Sequence, residues 1–108
     1  MIVKEAQVSA ALEYLADTSI AAQARYRVTV AENQAEAIRA DLFLAAEGSV
    51  EQRRAKAISS EEYQLALENL AIAVSDLEKH KARARSAEMF IEVWRTENAN
   101  VRAAERVR

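Results

Sequence analysis

His80 is the only histidine of this chain, and Asp76 stands four residues before it. On a helix that spacing lets a carboxylate orient an imidazole, which is the beginning of a general base. The chain offers such a base little to activate, having no cysteine, no second histidine and no serine in a recognisable nucleophile turn. Flanked by Lys79 and Lys81, His80 reads as a seam or rim residue. Glu88 and Glu92 form an i, i+4 carboxylate pair, and Glu61 and Glu62 are adjacent. Carboxylate pairs hold metals in helix bundles when a Glu-x-x-His motif joins them from another helix, and that motif is absent here. A single glycine rules out a glycine-rich phosphate loop. The expectation is no enzyme, no catalytic residue, no metal and no cofactor.

The other chemistry-bearing residues are basic. Lys79, Lys81, Arg83 and Arg85 alternate, so they spread around a helix instead of forming one stripe. Arg95, Arg102, Arg106 and Arg108 follow, with Trp94 among them. Cations for phosphates beside a ring for stacking bases are what a single-strand binding surface uses. Lys79, Lys81, Arg83, Arg85, Arg95 and Arg102 are therefore the candidate contacts to nucleic acid or to a protein partner. Trp94 has a competing reading as an interface anchor, the usual role of Trp on an apolar stripe. That reading is the favoured one and makes Phe90, Ile91 and Trp94 the candidate oligomer interface.

These side chains must be positioned by helices. Residues 59–108 contain no Gly and no Pro. Ser59 reads as an N-cap, with Glu62 closing a capping box. From there Ala66, Leu70, Ala73, Leu77, His80, Ala84, Ala87, Ile91 and Trp94 recur at steps of four and three, the mark of one helical stripe. Unbroken, this helix is about 70 Å long, running from residue 60 to 97 or beyond. A second stripe, Ile20, Ala24, Val28, Ala31, Ala35, Ile38, Leu42 and Ala45, predicts a helix over 19–47, capped by Asp17 or Thr18. Its Phe43–Leu44 end is apolar nearly all round and is expected to be the best-packed region. Gly48 should stop that helix as a left-handed C′ residue. Ser49–Gln52 opens a short helix over 50–57, and Ile58 is placed to staple onto Tyr63. Val8, Leu12 and Leu15 mark a short N-terminal helix over 4–16.

Two long helices joined by a compact connector fold back antiparallel. A turn near residue 54 pairs position i with 108 minus i, so that Ile38 faces Leu70 and Ala31 faces Leu77. The expected fold is all-α: a single domain over residues 1–108, an antiparallel helical hairpin or coiled coil with a short N-terminal helix and a very long C-terminal one. Phe90, Ile91 and Trp94 overhang this hairpin, and water contact would cost roughly 1.5–3 kcal/mol each relative to burial. The N-terminal helix covers part of that overhang and a second chain the rest, which predicts a homo-oligomer.

Composition fits. Half of the chain is apolar, with only six aromatic residues, no Pro and one Gly, as in an alanine-lined seam. The absence of cysteine excludes disulfides and suits a reducing cytoplasm. No apolar run approaches the roughly 20 residues that span a bilayer, and no secretory signal is expected at the N-terminus. The net charge of −2 is unevenly spread: seven basic and thirteen acidic side chains up to residue 78, then eight basic and four acidic. Such asymmetry suits a polyanion or head-to-tail association, although helix-dipole complementarity also accounts for it.

Two stretches carry a resemblance. Phe43-Leu44-Ala45-Ala46-Glu47-Gly48-Ser49-Val50-Glu51-Gln52-Arg53, followed by Ser60-Glu61-Glu62-Tyr63, is one. Ile91-Glu92-Val93-Trp94-Arg95-Thr96, followed by Asn98-Ala99-Asn100, is the other. Together they resemble small helical proteins encoded in the replication and recombination gene clusters of tailed bacteriophages. The layout of helix, Gly-marked turn, short basic connector and long helix with an aromatic anchor is similar to UvsY-type recombination mediators. The resemblance implies an oligomeric protein in the bacterial cytoplasm that binds single-stranded DNA, a recombinase, or both. The alternative from the residues alone is a helical adaptor or inhibitor that binds a host or phage protein and no nucleic acid.

Overall fold

The computed structural model describes residues 3–107. All of its regular structure is helical: α1 spans Glu5–Ala16, α2 Thr18–Ala45, α3 Val50–Ser59 and α4 Glu61–Val107. The chain divides into two compact units, one of residues 1–20 with 79–108, the other of residues 21–78.

The helix ends follow local chemistry. The Gln7 side chain accepts from the Lys4 amide at 3.0 Å, which satisfies one donor at the start of α1. Asp17 closes α1 through its amide, bonded to the Glu13 carbonyl at 3.2 Å. Its carboxylate then accepts the Ser19 amide at 3.1 Å, so of the two expected caps for α2 Asp17 does the capping. α2 ends at Ala45, two residues earlier than expected. Gly48 lies beyond the helix with φ +114°, in the loop that leads to Ser49. Ser49 opens α3 with a reciprocal box. Its hydroxyl accepts from the Gln52 amide at 3.2 Å, and Gln52 Oε1 accepts from the Ser49 amide at 3.0 Å. Lys56 Nζ donates to the Glu47 carbonyl at 3.1 Å and ties the connector to the end of α2.

The start of α4 differs from the expectation. α3 continues through Ser59, whose hydroxyl bonds back to the Lys56 carbonyl. Ser60 is the cap, accepting the Tyr63 amide at 3.1 Å. Two serines in a row offer two caps of the same chemistry, and the extra turn of α3 decides between them. Ile58, expected to staple onto Tyr63, is 45% exposed.

In the unit of residues 21–78, α2 and the first part of α4 form the two arms of an antiparallel hairpin. Gln34, Ala37 and Ile38 share a groove with Glu62, Leu65, Ala66 and Asn69. Ile38 thus lies within about one turn of its expected neighbour Leu70. The buried residues are Ala24, Ala31, Ala35, Ala57, Ala66 and Ala73, while Val28, Ile38, Leu42, Leu70 and Leu77 are half-buried. Both stripes read from the sequence face inward over this stretch, except for Ala45 at the end of α2, which is exposed. Alanines let helix axes approach closely, and the larger side chains flank the contact. The Phe43–Leu44 end is not the best-packed region. Leu44 is 74% exposed, and Phe43 is half-buried with the Arg53 guanidinium 6.0 Å from its ring centroid. An end that is apolar all round cannot turn every side to one neighbour.

In the other unit α1 lies antiparallel along α4. The Val3 amide bonds Glu97 Oε2 at 3.1 Å at one end, and Tyr14 meets His80 at the other. Val3, Val8, Ala11, Ala87 and Ile91 form the buried cluster. Leu12, expected on the apolar stripe of α1, is 52% exposed, and Ala11 takes the buried position. A one-position rotation turns the small residue inward, where the α4 seam presents Ala84 and Ala87.

Candidate functional site

The residues with functional potential gather on α4 between Lys79 and Arg102, within the unit that contains α1. The seam positions read from the sequence point inward here as well: His80, Ala84 and Trp94 are half-buried, and Ala87 and Ile91 are buried. The Tyr14 hydroxyl lies 3.2 Å from the His80 carbonyl oxygen and 3.1 Å from His80 Nδ1. A hydroxyl has one proton, which serves either the carbonyl, with the ring donating from Nδ1, or Nδ1 itself as acceptor. Either way the contact ties the C-terminal end of α1 to α4. Asp76, four residues away, is half-buried. His80 is therefore a bonded seam residue whose partner is a tyrosine on another helix. Nothing in the spacing of the chain pairs residues 14 and 80. The only signal in the sequence was that a seam histidine needs a polar partner.

Arg83 stacks its guanidinium 4.2 Å from the centroid of the Tyr14 ring, a close cation–π contact. The contact lays the Arg83 guanidinium against α1, while the residue stays exposed. The same ring, with Gln7, Ala11, Ser86 and Phe90, lines a shallow groove of about 230 Å³. Lys79, Lys81 and Arg85 are exposed. The i, i+2 spacing puts Lys79 and Arg83 on one side of α4 and Lys81 and Arg85 on nearly the opposite side. Arg95 is 3.4 Å from Glu92 Oε1, and Arg102 donates to the Asn98 carbonyl at 3.4 Å. The six candidate cations thus occupy one helix without forming a single basic stripe, and Glu88 and Glu92 interrupt the side that carries Lys81 and Arg85.

Phe90, Ile91 and Trp94, the candidate oligomer interface, pack within the protomer. Ile91 is 8% exposed inside the cluster built with α1, and Phe90, Val93 and Trp94 lie half-buried against it. α1 by itself gives Ile91 the cover that its type demands. Trp94 also borders a second groove toward the C-terminus, shared with Val3, Glu97, Asn98 and Val101.

The strongest charge perturbation lies away from these residues. Glu36 on α2 is held below the usual carboxylate range, first by the hydrogen bond from Arg39 Nη2 at 2.8 Å and then by that guanidinium's charge. Both groups are exposed, so the pair organises the helix surface and stabilises it little. Among the described residues no group of three His, Asp or Glu side chains is placed to hold a metal ion. Among the described residues no helix is long and apolar enough to cross a membrane. The chain matches no protein-family model, no curated protein and no solved structure.

Proposed function

We propose that this protein is a phage-type accessory factor of DNA recombination or replication. It works as an oligomeric helical module whose main contacts are with protein: further copies of itself and a recombinase or another component of that machinery. The observation that carries this reading is where the apolar surface lies. Leu44, Leu65 and Ile72 are all more than half exposed, between 58% and 74%, while no side chain larger than alanine is buried in residues 21–78. Large exposed aliphatic side chains on helices suit docking against other helices. The module has no catalytic role of its own.

Direct binding of single-stranded DNA is the second reading. It is favoured by the exposure of Lys79, Lys81 and Arg85 and the cationic balance of residues 79–108. It is weakened by the stacking of Arg83 on Tyr14 and by the seam position of Trp94, whose ring packs half-buried against the α1–α4 cluster. Fluorescence anisotropy with a labelled oligonucleotide across a salt series separates the two. Binding that weakens steeply with salt selects the DNA reading. No binding at low salt, together with co-elution of the purified protein and a recombinase from the same gene cluster, selects the protein reading. If neither partner is bound, the accessory role is refuted.

A further inference from the structure

The fully buried residues of the 21–78 hairpin are all alanines, its larger seam residues Val28, Ile38, Leu42, Leu70 and Leu77 are half-buried, and Leu44, Leu65 and Ile72 lie exposed. Ala24, Ala31, Ala35, Ala66 and Ala73 lie on the buried side of α2 and α4. A buried Leu or Ile removes several times as much apolar area from water as the methyl of an alanine. Burial of the exposed Leu44, Leu65 and Ile72 would therefore add substantially to the stability of this unit.

Their spacing is regular. Val30, Ala37 and Leu44 on α2 are seven residues apart, as are Leu65 and Ile72 on α4. Leu44, Leu65 and Ile72 are 74%, 58% and 61% exposed. A seven-residue aliphatic repeat is the pattern of a helix–helix seam. The two rows border one face, because Ala37 and Leu65 line the same α2–α4 groove, about 330 Å³, with Gln34 and Asn69 as its polar members.

We propose that a second copy of this chain docks on this face, so that two hairpins close into a four-helix bundle. The proposal deepens the self-association part of the reading above and is independent of any recombinase or DNA. Two arguments select the occupant. The first is area. α2 from residue 21 to 45 is about 37 Å long, and two helices with axes 8–10 Å apart present a face roughly 20 Å wide. That product is about 740 Å², close to the roughly 800 Å² per partner of a stable interface. The second is availability. A unit whose fully buried residues are all alanines gains from extra burial, and the partner present whenever this chain is present is another copy of it.

The charge of the unit gives the proposal a signature. Residues 21–78 carry six basic and ten acidic side chains, and Glu62 borders the docking face. Two such units repel at the rim, so added salt tightens the dimer. Contacts to DNA phosphates respond in the opposite sense. Failure of this proposal is thus distinguishable from failure of the wider functional reading.

The test is analytical ultracentrifugation of the full chain over a dilution series at low and high salt, with helix content followed by circular dichroism. The expected result is a dimer whose dissociation constant falls with salt and whose melting temperature rises with protein concentration. Leu65→Asp with Ile72→Asp should raise the dissociation constant at least about a hundredfold, and Met89→Asp, in the other unit, should leave it unchanged. Because the double variant can also lose structure, the single variants Ile72→Cys and Met89→Cys provide a second measurement. A maleimide should modify Cys at 72 more slowly as protein concentration rises, and Cys at 89 at a constant rate. A monomer with full helix content and a concentration-independent melting temperature would overturn the proposal. So would an oligomer indifferent to the double variant, or a chain that gains its helices only when a different protein is added.

Discussion

The side-chain oxygen of Gln52 stands where Gly48 would carry a Cβ. Gly48 has φ +114°, and a Cβ built on it runs into Gln52 Oε1, the atom that accepts the Ser49 amide. The glycine is therefore required twice over, once for its backbone angle and once for the room that the α3 cap occupies. Gly48→Ala should lower unfolding free energy by about 1–3 kcal/mol in a urea titration. The cost should shrink, without vanishing, when Gln52 is also truncated, since the backbone strain remains.

Consecutive serines separate two cap assignments. Ser60 accepts the Tyr63 amide, while Ser59 donates to the Lys56 carbonyl. Ser60→Ala should cost about 0.5–2 kcal/mol. Ser59→Ala should change stability by less than about 0.5 kcal/mol, as a surface substitution does. Equal costs would return the cap to Ser59.

Tyr14 joins α1 to α4 through its hydroxyl and its ring. Tyr14→Phe keeps the ring beneath Arg83 and should cost about 0.5–1.5 kcal/mol, the net worth of a hydrogen bond. Tyr14→Leu removes the aromatic face as well and should cost more. NMR of the His80 ring offers a direct check: its Nδ1 resonance should shift in Tyr14→Phe, which removes the hydroxyl 3.1 Å away.

Trp94 and Ile91 anchor the cluster under α1. Ile91→Ala should destabilise by about 2–5 kcal/mol. Trp94→Ala should cost more than about 2 kcal/mol, although Trp94 is only half-buried. An unchanged melting temperature for Trp94→Ala would show that the ring packs against nothing of consequence.

Arg39 depresses the Glu36 pKa through a hydrogen bond and its charge. A carboxylate lowered in the folded state adds stability above its unfolded pKa, and that contribution fades as pH falls through the lowered folded value. Carbon-13 NMR should show Glu36 titrating below the ordinary value of 4.5 and returning toward it in Arg39→Gln. Because both side chains face water, the overall acid stability should barely change.

Much of the architecture was legible because helices are local. The four-and-three spacing of Ala66, Leu70, Ala73, Leu77, His80, Ala84, Ala87, Ile91 and Trp94 picked out residues that all lie buried or half-buried. Periodicity, the lack of proline and the lone glycine specify helix, face and turn without reference to anything distant. What escaped were choices between local options of nearly equal energy. Ser59 and Ser60 cap with the same chemistry, and Leu12 and Ala11 both lie near the inner edge of α1.

The tertiary structure alone decided which partners meet. Tyr14 and His80 are sixty-six positions apart, and no propensity or spacing links them. The same holds for Arg83, whose type announced a cation for a ligand and whose guanidinium lies against the Tyr14 ring. Hydrogen bonds and stacking between helices depend on rotation and register to within about an ångström, and a sequence pattern fixes those only to about a turn.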